Sequence, residues 1–153
     1  MRINPQNIIS SKCTIINKLK KADSATGVDV WYKHELYDCF WDVISQATQA
    51  GQQTYLGATK SVQIPANQGI PFAEYELWAQ GNMDSHFTVS PDDYIVLGEV
   101  HEDINAGNIV SVMNKYGDKA CRIKVFNNLD FTKGVETKGF LQRYANIYYV
   151  EGV

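Results

Sequence analysis

Glu99, His101 and Asp103 fall two residues apart, so a strand continued through Asp103 would set two carboxylates and an imidazole on one face. That is the donor set of a divalent-metal patch. No second ligand cluster accompanies it, and the turn residues Asn105 to Gly107 follow at once, so a polar strand end is the simpler reading. His34 and Cys39 carry the residue types of a thiol nucleophile and its base, but their odd separation sends them to opposite faces of a regular strand. Packing roles are expected for both. Asp92 and Asp93, with Glu74 and Glu76, are the residue types for acid and base catalysis on a sugar, yet turn and helix-start roles account for all four. There is no Gly-x-Gly-x-x-Gly, no Walker phosphate loop, no Gly-x-Ser-x-Gly elbow and no His-Glu-x-x-His. The chain is therefore expected to be no enzyme, with no catalytic residues, no metal and no cofactor.

Positioning begins with the stretch DVWYKHELYDCFWDV, Asp29 to Val43, which reads as one long strand whose apolar face changes sides. Val30, Tyr32, His34 and Leu36 share one parity, and Tyr37, Cys39, Trp41 and Val43 the other. Such a switch without a breaker predicts a bulge near Leu36 and Tyr37, and strands that bend this way close barrels. Before it, Cys13 to Leu19 reads as a short strand leading into the turn KKADSATG. After it, Ser61 to Ile64 is a strand ended by Pro65, and PFAEYELWAQG predicts a short helix with Trp78 on the core side and Gly81 as its stop. Phe87 to Val89 reads as a brief strand, Ser90 to Asp93 as a tight turn with Pro91 in its second position, and Tyr94 to Val100 as a strand. Asn105 to Tyr116 has the spacing of a short amphipathic helix stopped by Gly117. Cys121, Ile123 and Val125 alternate with basic residues as a half-exposed strand, and a Tyr-rich strand near Ile147 to Val150 closes the chain. The order predicts one β-dominated α+β domain over 1–153, a small closed or partly open β-barrel with one or two short helices.

At 153 residues one domain is the default, and 44% hydrophobic residues is an ordinary globular balance. No segment approaches the roughly 20 apolar residues of a membrane helix, so a soluble protein made in the cytoplasm with no membrane partner is expected. Cys13, Cys39 and Cys121 are too few and too widely spaced for a disulfide framework and are expected as buried thiols. Charge is uneven: Met1 to Val43 carries six basic and five acidic residues, Ile44 to Glu99 one and six, Val100 to Val153 seven and six. An acidic middle third without a basic stripe argues against tight DNA binding. From Val43 to Thr59 there is no charged residue, and this stretch, about 44–60, is read as an extended hairpin loop or flexible arm. Gln46, Gln49, Gln52, Gln53, Tyr55 and Leu56 are its candidate partner-facing residues. Trp31, Tyr37 and Trp41 are candidate interface aromatics, and Trp31, Trp41 and Trp78 could alternatively stack on sugar faces.

Taken together, IINKLKKADSATGVDVWYKHELYDCFWDV, SVQIP, SPDDYIVLGEV and the closing IYYVEGV resemble, in their order, a family of small tailed-phage and prophage virion proteins. Asp92 stands where that family commonly has Gly, and Tyr149 where it has an aromatic. The resemblance implies a head-completion or stopper component at the neck, a homo-oligomeric ring between the portal and adaptor proteins and the tail proteins. Packaged DNA would pass close by without specific contact, and the arm from Gln46 to Ala58 would either reach into the ring lumen, helping to hold that DNA, or clasp the adjoining protein. A tail-terminator or tail-completion ring is the alternative that the same resemblance leaves open.

Overall fold

The computed structural model describes residues 11–50, 53–130 and 146–153. Strands β1 Ser11–Leu19, β2 Val30–Ala50, β3 Gln53–Pro65, β4 Tyr94–Leu97, β5 Ala120–Asp130 and β6 Asn146–Gly152 close into a barrel. Their order around it is β1-β2-β3-β6-β5-β4, with all neighbours antiparallel. Two short helices, α1 Tyr75–Trp78 and α2 Ile109–Tyr116, accompany it, as the mainly β reading of the sequence anticipated.

The bent strand works as its parity switch requires. Through Cys39 it pairs with β1, and from Phe40 onward with β3. Cys13 faces Leu36 and Ser11 faces Cys39, so Lys12 alone is opposed by both Tyr37 and Asp38. That extra residue is a β-bulge, and Asp38 absorbs it at φ +58°, a left-handed conformation that a short Asp tolerates better than branched residues do. Leu36 and Cys39 can then both enter the core, where each is fully buried. The bulge lies about one residue beyond its expected place. Gln68 braces it: its Oε1 accepts from the Tyr37 N–H at 2.7 Å, and its Nε2 donates to the Tyr37 and Pro65 carbonyls at 2.8 and 2.9 Å.

The barrel interior is filled by Ile15, Leu36, Val62, Ile64, Ile95 and Val150 with their neighbours. One end is plugged by Trp78, which packs with Leu19, Ala73, Val30 and Tyr32 and donates its indole N–H to the His86 carbonyl at 3.0 Å. On the outer wall α2 lays Ile109, Val112 and Met113 over Ile16 and Val96. Strands β1 and β4 are thus buried on both faces, which is why each carries consecutive apolar residues.

Several boundaries differ from the sequence reading. The helix in PFAEYELWAQG is a single turn starting at Tyr75, because the carbonyl of Pro71 and the amide of Ala73 are taken by the backbone of Phe87. Phe87 to Val89 makes one bridge, Phe72 to Phe87, and no full strand. Strand β4 stops at Leu97, where Gly98 turns the chain at φ +95°. Asn105 to Asn108 form a turn held by the Asn105 carboxamide, so α2 begins only at Ile109; it ends at Gly117 as expected. A second register shift, between Ile123 and Val125, turns Val125 outward and breaks the alternation expected for β5.

The largest difference lies at 44–60. Instead of a loop, β2 and β3 continue as an antiparallel pair from Val43 opposite Lys60 to Ala50 opposite Gln53. Pairing satisfies backbone groups that a long loop would leave to water. The sequence hid it because Gln, Ala and Gly lack the apolar alternation by which a strand is recognised.

Candidate interaction surfaces

Strand β6 pairs with β3 only from Lys60 to Pro65, and β1 with β2 only through Cys39. Beyond Lys60, the rungs from Ile44–Thr59 to Ala50–Gln53 form a two-stranded ribbon with no further described strand alongside. Its length is roughly 20 Å at about 3.3 Å per residue. Each of its strands pairs with the other on one side, and among the described residues no strand pairs with the second side, the arrangement that serves as a template for strand addition by another chain. Of the candidate arm residues, Gln46 pairs with Gly57, Gln49 with Thr54, Gln53 with Ala50, Tyr55 with Thr48 and Leu56 with Ala47. Gln52 lies outside the described residues.

The three interface aromatics separate. Trp31 is half-buried against the α2 cluster, its ring centre 5.9 Å from that of Tyr94, with the Lys18 ammonium 5.7 Å away and its buried indole N–H without a hydrogen-bond partner among the described residues. Trp41 packs partly buried against the barrel core. Tyr37 alone is largely exposed, at 48%. Its hydroxyl donates to Glu35 at 3.0 Å, and the Lys12 ammonium lies 5.4 Å from its ring centre. Lys12 also pairs with Glu99 and, at 3.1 Å, with Glu35, and these two carboxylates, Glu99 first, raise its pKa to about 12. The result is a charged, aromatic patch beside the bulge. Trp78 is fully buried, which removes it from the set of rings available to a sugar.

The residues with chemical potential resolve into structural contacts. Glu99 and Asp103 no longer share a strand face, since β4 stops at Leu97, and His101 stands 3.7 Å from Glu99. Among the described residues no three His, Cys, Asp or Glu side chains gather as metal ligands. His34 Nε2 is bound to the Met83 carbonyl at 2.6 Å. Cys39 has its thiol pKa pushed up by its contact with Cys13 and by burial, the opposite of what a nucleophile needs. All three cysteines are free and buried, as expected. A cleft of about 600 Å³ does bring Glu74, Glu76 and Asp92 together, but with Lys18 and Lys20 among them. Asp92 is held by Arg122 at 2.9 Å.

Asp93 parts from its neighbour. It is buried and accepts three hydrogen bonds, from Asn17 Nδ2 at 2.9 Å and the backbone N–H groups of Lys18 and Ser90 at 3.0 Å each. Burial raises its pKa to about 6, while the N–H donors keep it from rising further. Asn17 also clamps Thr88, donating to its carbonyl at 2.5 Å and accepting from its N–H at 3.2 Å. The IINK and SPDDYIVLGEV motifs therefore meet in space, joined by this buried knot.

No described helix is long and apolar enough to span a membrane. No curated protein and no solved structure matches the chain. A family model does match, over residues 8–138, which takes in β1 through β5, and the chain accordingly belongs to DUF6751, a family of unknown function.

Proposed function

We propose that this chain is a non-enzymatic structural subunit of a tailed phage or prophage virion. It acts at the head–tail interface as a head-completion or stopper-type ring between the portal and adaptor proteins and the tail. The observation that carries this reading is the uncharged ribbon that continues β2 and β3 past the closed wall. A closed barrel offers no free sheet edge, so it can meet copies of itself only through side chains. The ribbon offers two different backbone edges, and a ring of identical subunits needs two different surfaces that fit one another. Between Ile44 and Thr59 no lysine or arginine is present to grip phosphate, which suits a segment beside moving DNA better than one bound to it. The sequence resemblance supplies the place in the particle.

Replacing Gln46–Gly57 by an Asn-Gly turn tests this, because Ser45 and Ala58 then flank a two-residue hairpin loop. The expected result is a folded subunit that no longer enters particles, with loss of infectivity; normal yields of full, infectious particles would remove the role. Co-purification of the intact chain with portal-side proteins is expected. Capture by tail-tube proteins alone would favour the tail-terminator alternative.

A further inference from the structure

Lys60 is the last residue of β3 to pair with β6, and it shares its parity with Val62 and Ile64, so its stem starts on the inner face at the rim of the barrel. Only 7% of the residue is exposed. Its ammonium donates to the Ala120 carbonyl at 2.8 Å, and no carboxylate pairs with it among the described residues. Buried lysines normally have an anionic partner, because an ammonium withdrawn from water with one hydrogen bond leaves two N–H donors and its charge uncompensated.

The amine does not end in solid protein. Lys60 and Ala120 line a pocket of about 250 Å³ together with Tyr94, Val110, Met113, Asn114, Arg122 and Val153. Arg122 is already committed to Asp92 at 2.9 Å. Among the described residues Lys60 therefore has no ion-pair partner, and Val110 and Met113 give the lining near it an apolar part. Val110, at the edge, is 64% exposed in the free chain, although it belongs to a helix whose opposite face is buried. One uncompensated charge calls for a monoanion, and the apolar wall for a hydrocarbon segment next to it. The volume equals about eight waters at roughly 30 Å³ each, enough for a short acid or an acidic side chain with its first neighbours.

We propose that the Lys60 pocket is a binding site for a carboxylate carried on a short apolar stem. The shared chemistry can be presented by a free aliphatic acid or by an acidic side chain of a second copy of this chain, and two arms of one experiment separate the sources. Calorimetric titration of the full chain with hexanoate is expected to saturate, with hexanol and hexylamine, which share the stem and lack the anionic head, at least tenfold weaker. Lys60→Met, which keeps the stem and removes the charge, should weaken hexanoate at least tenfold. Val110→Trp, an exposed change that narrows the entrance and keeps the lysine, should weaken it as well, so the inference does not hang on one variant's folding. In the second arm, light scattering of the wild type at low salt reads self-association. Association abolished by Lys60→Met and competed by hexanoate assigns the carboxylate to a neighbouring copy, whereas a monomer that binds hexanoate assigns it to a free acid. Hexanoate binding that Lys60→Met leaves unchanged, or equal binding of hexanol, would mean an apolar crevice and overturn the proposal. So would no saturable binding together with no Lys60-dependent association.

Discussion

The barrel wall and the ribbon are made from the same two strands, yet they are held in opposite ways. Below Lys60, β3 has β2 on one side and β6 on the other, β2 passes from β3 to β1 at Cys39, and the inner face is packed with Val62, Ile64 and Leu36. Above it, each has only the other among the described residues. Backbone pairing alone leaves a two-stranded hairpin marginal in water, while packed faces make the wall cooperative. The difference separates what holds the molecule together from what it can offer to others.

The sharpest contrast comes from the plug. Trp78→Ala removes a fully buried ring from the end of the barrel and should cost about 3–5 kcal/mol, enough to leave little folded protein by urea titration. A pH series probes the knot between β1 and β4. Because burial raises the Asp93 pKa from 3.8 to about 6, the native state keeps that proton where the unfolded chain releases it. Its contribution is full below 3.8 and is lost as pH rises through about 6. The whole swing is up to about 3 kcal/mol, at 1.36 kcal/mol per pKa unit. Asp93→Asn, which does not titrate, should flatten urea midpoints between pH 4 and 7. Glu102 acts mainly below that window: Lys115 and then Tyr116 lower its pKa to about 2, so its contribution is full above 4.5 and is lost as pH falls from there through about 2.

Gln68→Ala removes the brace of the bulge and should cost about 1 kcal/mol, read as a shift in midpoint with an unchanged slope. The smallest effect is expected from the Asn-Gly ribbon replacement, less than about 0.5 kcal/mol in unfolding free energy, since no wall residue loses a neighbour. A larger loss there would show that ribbon and wall fold as one unit and would erase the contrast.

Sequence periodicity exposed the wall well. The parity switch from Leu36 to Cys39 predicted a bend because two apolar sets of opposite phase cannot face one core in a regular strand. Trp78 on the core side and Gly117 as a helix stop followed from equally local rules. The ribbon was legible as a special segment by its lack of charge, but not as strands, since Gln and Ala carry no facing preference. Asp92 and Asp93 looked alike in the turn, yet one sits at φ +74° paired with Arg122 and the other is buried beside Asn17, 76 residues away in sequence. Lys60 gave no signal at all. Its isolation is a property of what the fold places around it, and a lone lysine at the edge of an uncharged stretch reads as solvated.

The single extra residue at Tyr37 and Asp38 has a reach well beyond its own position. Everything from Cys39 to Ala50 inherits its orientation from that insertion, so the core and the distant tip share one phase. A one-residue deletion between the bulge and Phe40 would displace every later rung of β2 against β3 by one residue, from Phe40 opposite Gln63 to Ala50 opposite Gln53, even where the barrel itself found a way to refold.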